Sequence, residues 1–259
     1  MPHDRATSLR LDEMSWIDVA AHLARDPRLL MPIGALEQHG PHLPLGANTR
    51  ISERIAQDLS AEFRVLCAPT MNYGLNYYGV KVRLGRAYAG TATLRQKTLH
   101  RALNELLGAW EIHGIAEFIL ITAHRHEPHL DALATLITRQ ARVRVVSVWD
   151  VDVFDLLDSQ PGPQHAGEAE TSLMLHLYPE LVRIDRAQDM PLSADELRRY
   201  DPFRLPPPPP EGPGVVGHPT AGSPEKGLAI YERILEAVRR SVFSVRPSAD
   251  AESDTLQSA

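Results

Sequence analysis

The stretch R-L-L-M-P-I-G-A-L-E-Q-H-G-P-H-L-P-L-G-A-N, from Arg28 to Asn48, decides how the chain is built. Its first part, Arg28–Ile33, is a short apolar run closed by Gly34, the pattern of a strand buried on both faces. A loop shaped by glycine and proline follows, and beyond it Ile51, Ile55 and Leu59 recur at helical spacing. The unit therefore reads strand, loop, helix, and the chain repeats it. An amphipathic segment around Trp16–Leu23 precedes it, and Arg64–Ala68 reads as a second strand ended by Pro69. Thr93 opens a helix with Gln96 as its capping-box partner; Leu99, Leu103, Leu106 and Trp110 form its buried stripe, and Gly114 stops it. Phe118–Thr122 is a third strand, followed by a helix carrying Leu130, Leu133 and Ile137, and Arg142–Trp149 is a fourth strand. A further helix starts within Gly167–Glu170 and runs to Leu177. Ser223-Pro224 supplies the N-cap and first turn of a last helix bearing Ile230, Ile234, Val238 and Val242. Strands alternating with helices imply an α/β fold with a mostly parallel sheet covered on both faces.

Bulk properties narrow the function. A chain of 259 residues suits one α/β domain, here 1–246, with a proline-rich loop at 202–214 and a small, polar, disordered tail at 247–259. The formal charge of −6 is spread along the chain, so no basic face points to nucleic acid. No apolar run approaches the roughly 18 residues of a membrane span, and no secretory signal is seen, so a cytoplasmic protein is expected. Cys67 is the sole cysteine, which excludes a disulfide framework and a Cys-based zinc site. The 12 histidines carry more information.

Loops leaving the carboxyl ends of strands are where α/β sites assemble. Three such segments hold histidines beside carboxylates. Gly34–Asn48 offers Glu37, His39 and His42; Thr122–His129 reads T-A-H-R-H-E-P-H; His165–Ser172 reads H-A-G-E-A-E-T-S at a helix start. Imidazole nitrogen with carboxylate oxygen suits zinc, manganese or iron(II) better than magnesium or calcium. Residues two apart in an extended chain face opposite ways, so Glu37 and His39 either grip different ions or need a bend to share one. Each cluster alone is ordinary surface chemistry; three on one sheet edge indicate a metal site.

These residues also carry a family signature. P-I-G-A-L-E-Q-H-G-P-H-L-P-L and H-A-G-E-A-E-T-S-L-M-L resemble two motifs of the creatininase family of metal-dependent amidohydrolases, and Y-A-G-T-A-T-L-R near Tyr88–Arg95 and G-V-V-G-H-P-T-A-G-S-P-E-K-G near Gly214–Gly227 match more weakly. The resemblance implies a three-layer α/β/α sandwich, a homo-oligomer (usually a hexamer), and a small-molecule or peptide substrate whose amide C–N bond is cleaved by metal-activated water. It implies a two-metal centre, with Glu37 and His124 holding the first cation and His39 the second; given this sequence's departures from the family, one or two divalent cations per chain are expected. His165 matches the proton-moving histidine. Glu170 is both a candidate catalytic group and a metal ligand, and His126 stands where creatininase itself has a carboxylate ligand. Asn76, Tyr78 and Arg125 fall in substrate-binding regions.

The sequence also departs from the family. Asn48 stands where the resemblance implies an aspartate bridging two metals, the N-G-H-G-G-N turn has become T-A-H-R-H-E, and His218 replaces the acid of a G-D-P turn. Two readings follow: a divergent amidohydrolase with its centre rebuilt from Glu37, His39, Asn48, His124, His126 and Glu170, or a non-hydrolytic binding or scaffold relative that has lost the bridging charge.

Overall fold

The computed structural model describes residues 8–76, 88–159, 164–193, 195 and 212–244. Within them, five strands pair in parallel: β1 (Leu9–Arg10), β2 (Arg28–Ile33), β3 (Leu66–Cys67), β4 (Glu117–Thr122) and β5 (Arg142–Ser147), in the order β1-β3-β2-β4-β5. The central strands β2 and β4 run in register from Arg28 opposite Glu117 to Ile33 opposite Thr122. Their unbroken apolar composition follows from burial on both sides. Leu30, Ile119 and Ile121 face one cluster, packed by Ile51, Ile55 and Leu59 of α2 (Ala47–Phe63), Leu173 of α5 (Glu168–Leu177) and Ile230 and Ile234 of α6 (Pro224–Val238). Leu29, Met31, Phe118 and Leu120 face the other, packed by Leu23 of α1 (Trp16–Leu23), Leu99, Leu103 and Leu107 of α3 (Gln96–Ile112) and Leu133 of α4 (Glu127–Ala134). The result is the expected α/β/α sandwich. No helix among the described residues is long and apolar enough to cross a membrane.

Several sequence expectations shift by a turn or less. The helix expected from Thr93 begins at Gln96, because the Thr93 hydroxyl instead accepts the Asn76 backbone N–H at 3.0 Å. Its buried stripe runs through Leu107, not Leu106, which is 38% exposed. Both leucines fit helical spacing from Leu103, and only the angle of the helix against the sheet separates them. Likewise α4 stops at Ala134, leaving Ile137 beyond it and 72% exposed. Strand β1 was not anticipated; two residues leave no period to read. The tail and most of the proline-rich loop lie outside the described residues.

Two close approaches bring the site-bearing segments together. A side chain at Gly227 would stand 2.0 Å from the Ser172 carbonyl oxygen, so glycine lets α6 press its backbone against α5. At Gly34 a Cβ would meet the Thr49 Oγ1 at 2.2 Å, which lets the turn after β2 fold onto the start of α2. Ser223 caps α6 as expected, accepting from the Lys226 N–H at 3.3 Å. Lys226 then reaches back to Glu168, whose buried carboxylate also accepts the Asp158 and Ser159 N–H groups at 2.9 and 3.0 Å. Removing the Glu168 carboxylate from this buried network leaves the Asp158 and Ser159 N–H groups without their acceptor and takes from Lys226 its buried partner, leaving it the exposed Asp158. Glu168→Ala is therefore expected to cost about 3 kcal/mol, read as a lower urea midpoint; an unchanged midpoint would contradict this placement.

Candidate metal centre

The carboxyl ends of β2 and β4 and the first turns of α2 and α5 converge on one buried cluster. After β2 the chain bends as the sequence required. His39 Nδ1 folds back to donate to the Glu37 carbonyl at 3.0 Å, Gly40 takes φ of +67°, and Glu37 N–H is held by the Leu45 carbonyl at 2.9 Å. Glu37, His39 and His165 thereby bring ligand atoms within 4.8 Å of one another. All three are buried, as are Asn48, His124 and Glu170.

Tautomers follow from which neighbours can only accept. A carbonyl has no proton to give, so His39 Nδ1 and His124 Nε2, facing the Glu37 and Leu75 carbonyls, both carry hydrogen. In its neutral form each ring then turns a lone pair inward: His39 Nε2 lies 3.7 Å from Glu170 Oε1, and His124 Nδ1 lies 3.4 Å from Glu37 Oε2. Glu170 is aimed the same way. Its Oε2 accepts the Ala166 N–H at 2.5 Å, with Ala166 in the left-handed region at φ +50°, and Oε1 is left facing the cluster. Non-glycine residues hold that conformation only when the surroundings impose it, and such strain concentrates at functional sites.

Asn48 sits where these groups meet. With its oxygen toward His124 Nδ1 (2.9 Å) and His39 Nε2 (3.2 Å), its amide nitrogen donates to Glu170 Oε1 (3.3 Å) and the Ala123 carbonyl (3.1 Å). The reverse orientation sets the amide oxygen against that carboxylate and that carbonyl. Burial, reinforced by His129 and His126, pushes the His124 pKa well below its ordinary value, so its Nδ1 presents a lone pair to the Asn48 oxygen. In the reverse orientation the amide nitrogen donates to that lone pair at 2.9 Å but the oxygen then faces the carboxylate and the carbonyl, so neither orientation satisfies every neighbour; a cation bound by the oxygen and Nδ1 together resolves the conflict. The spacings agree, because ligands about 2.1 Å from one ion stand about 3.0 Å apart at right angles and about 3.4 Å apart in a tetrahedron. The residues present therefore fit a divalent metal.

Two half-sites share the Asn48 oxygen. One has Glu37 and His124; the other has His39 and Glu170. They differ in protonation. Burial works to lower the His39 pKa, but the charge and hydrogen bond of Glu170, with Glu37, carry it up to about 9. Burial and the His39 charge bring His165 down to about 4. Gln38 meets His165 Nε2 with both its backbone carbonyl, an acceptor at 2.9 Å, and its side-chain amide nitrogen, a donor at 3.0 Å, so the ring is held in either tautomer.

The remaining sequence candidates are placed differently. His126 lies beside the cluster, with its Nδ1 3.1 Å from the Leu75 carbonyl and its ring 5.9 Å from that of His124, so the expected ligand role does not follow from its position. Asn76 was expected to bind substrate. Instead its amide nitrogen fastens the Leu36 and Ala92 carbonyls at 2.9 and 2.7 Å. His42 is a fastener too, bonded to Thr171 Oγ1 at 2.9 Å. Arg125 lines a cleft that opens from the cluster, together with Asn48, His124, His165 and Glu170. Tyr78 lies outside the described residues. Gln38, which the sequence places in the same wall as Glu37 and His39, holds His165, whereas the Leu75 carbonyl that orients His124 leaves no side-chain signature to read.

A family model for creatinine amidohydrolase matches residues 12–242. The chain belongs to the creatininase family. It is 28% identical over 253 residues to the creatinine amidohydrolase of Pseudomonas putida, covering 91% of this chain and 96% of that one. It is 28% identical over 227 residues to a mycofactocin precursor peptide peptidase of Mycobacterium ulcerans, covering 81% and 82%. A crystal structure of creatininase superposes with a TM-score of 0.74 at 26% identity, over 90% of this chain and 97% of that one. Similar creatininase structures are described as a manganese form and a variant of Zn–Zn type.

The protonation pattern is testable in cation-free protein. Imidazole ¹⁵N spectra are expected to show His39 protonated up to about pH 9 and His165 neutral down to about pH 4. A His39 midpoint at its ordinary value would mean that Glu170 is not its partner.

Proposed function

We propose that this creatininase-family chain is a metal-dependent amidohydrolase whose first cation occupies the half-site of Glu37, His124 and Asn48. The observation that carries the reading is the divided surroundings of the Asn48 amide, with the His124 Nδ1 lone pair on one side and the Glu170 carboxylate and Ala123 carbonyl on the other, so that no orientation of the amide satisfies all three. His124 is already neutral, so a cation binds there without displacing a proton, whereas the second half-site must first deprotonate His39. Charge counting points the same way. Glu170 compensates protonated His39, which leaves the Glu37 charge for one cation, and a neutral amide adds none for a second. Zinc, manganese or iron(II) suits this mixture of nitrogen and oxygen donors. Two relatives, a creatinine amidohydrolase and a precursor peptide peptidase, carry names of hydrolases.

A bound divalent cation supplies an acidified water and a Lewis acid for the amide carbonyl. The protein's own groups do the rest. His165, neutral and held by Gln38, takes a proton and returns it to the leaving nitrogen. Glu170, fixed by Ala166, keeps His39 oriented and compensates its charge. Burial of the cluster keeps these charges in a low-dielectric setting where their effect is greatest. The same reading takes the protein as a cytoplasmic homo-oligomer acting on a small-molecule or peptide amide. One feature favours the alternative of a non-hydrolytic relative: the uncharged side chain at the shared position, Asn48.

Metal analysis separates the two. Protein purified without chelator is expected to hold about one transition metal per chain, and amide hydrolysis is expected to follow metal content. Less than about half an equivalent, with no uptake of added zinc, manganese or iron(II), would leave only the non-hydrolytic reading. Glu37→Gln is expected to weaken binding by about tenfold or more, and unchanged affinity would remove Glu37 from the site. Asn48→Asp restores a bridging charge and is expected to move the stoichiometry toward two; no change would show that Asn48 is not shared.

A further inference from the structure

The cleft leading to the cluster has two unlike walls. His124, His165, Glu170 and Asn48 form the polar one, extended by Arg125 and Gln164, and Trp149, Val151, Phe154 and Leu157, backed by Val153, form the other. The apolar wall comes entirely from W-D-V-D-V-F-D-L-L-D, Trp149–Asp158, in which four acids are interleaved with apolar side chains. The structure sorts them. Asp150, Asp152, Asp155 and Asp158 are exposed, with Asp155 paired to Arg233 and Asp158 to Lys226 at 2.7 Å. Asp152 Oδ1 also accepts the Phe154 N–H at 3.0 Å, which fixes the backbone where that ring is presented. The one polar atom of the Trp149 side chain is spent as well, its indole N–H donating to the Ala123 carbonyl at 2.6 Å. What remains facing the cleft is hydrocarbon, with Phe154 36% exposed.

Exposed apolar side chains beside a polar reaction centre mark the part of a pocket that binds rather than reacts. We infer that the substrate is an amide bearing an aliphatic or aromatic group, which packs on Trp149, Val151, Phe154 and Leu157 while the scissile carbonyl faces the Asn48–His124 cluster. A small, fully polar substrate would leave this wall uncovered. The inference rests on the amidohydrolase reading and extends it to substrate class. Its occupant follows from continuity: the apolar wall and the polar cluster line one cleft.

Hydroxamates of increasing chain length test wall and centre separately, because the headgroup binds metal and the tail reports on the wall. Zinc-loaded protein titrated calorimetrically with acetohydroxamate, butyrohydroxamate, hexanohydroxamate and benzohydroxamate is expected to bind each more tightly than the acetyl compound. Complete burial of a methylene corresponds to about fourfold in affinity, so a gain of at least roughly tenfold from acetyl to hexanoyl is expected. Phe154→Ser changes a partly exposed ring and is expected to remove most of that gain while metal content stays the same. If acetohydroxamate binds and the series is flat, the apolar-substrate inference is overturned and the metal reading stands. If none binds and no metal is held, both are overturned.

Discussion

The interaction on which the centre depends is the crowding of acceptors around the Asn48 amide. Two carbonyls, from Glu37 and Leu75, accept a hydrogen bond from one nitrogen of His39 and of His124, and so turn the other nitrogen of each ring toward the Asn48 amide, protonated in His39 and bare in His124. Burial forbids water from relieving the conflict cheaply, and it also keeps His124 from taking a proton. A divalent cation satisfies every inward-facing donor at once. With Glu170 compensating His39, the Glu37 carboxylate and a neutral amide then favour one cation over two.

The fold supplies this geometry through parallel strands. Because β2 and β4 are adjacent and run the same way, the loops that leave them start side by side, bringing Glu37 and His39 to His124. Gly34 allows the first loop to close onto α2, which places Asn48 in the first turn of that helix. Ser52 locks the joint: its hydroxyl donates to the Asn48 carbonyl and accepts the Ala123 N–H, each at 2.8 Å. On the far side α5 begins just after the left-handed Ala166, and that backbone N–H holds one oxygen of Glu170 so that the other faces inward. The family's architecture is thus retained at Asn48 even though the charge is not.

Much of the fold was legible because its signals are local. Apolar runs marked β2 and β4, Ser223-Pro224 marked the start of α6, and the helix expected to begin within Gly167–Glu170 begins at Glu168. Where the reading slipped, the deciding force was tertiary. Leu106 and Leu107 both fit the period of α3, and packing against the sheet chose Leu107. The strand-end segments that carry Glu37, His39, His124 and Glu170 were legible from residue type and position, whereas Asn48 and the pairing of ligands came from the family resemblance. Asn76 stood out in a run of polar and aromatic residues, and its amide nitrogen is engaged by two backbone carbonyls. The apolar cleft wall went unread, since an interleaved acidic stretch looks like an ordinary solvated loop until the pairing of Asp155 and Asp158 shows which side chains turn away.

A polar cluster that holds a cation and an adjoining apolar wall make one cleft with a division of labour: one side polarises an amide and the other selects what is attached to it. The account stands on the first of these, a cation bound to the Asn48 oxygen. The most direct test is anomalous diffraction from crystals grown with zinc or manganese. The account predicts a dominant peak within coordination distance of Glu37, His124 and the Asn48 oxygen. A peak held elsewhere, or none among these residues at saturating metal, would contradict it.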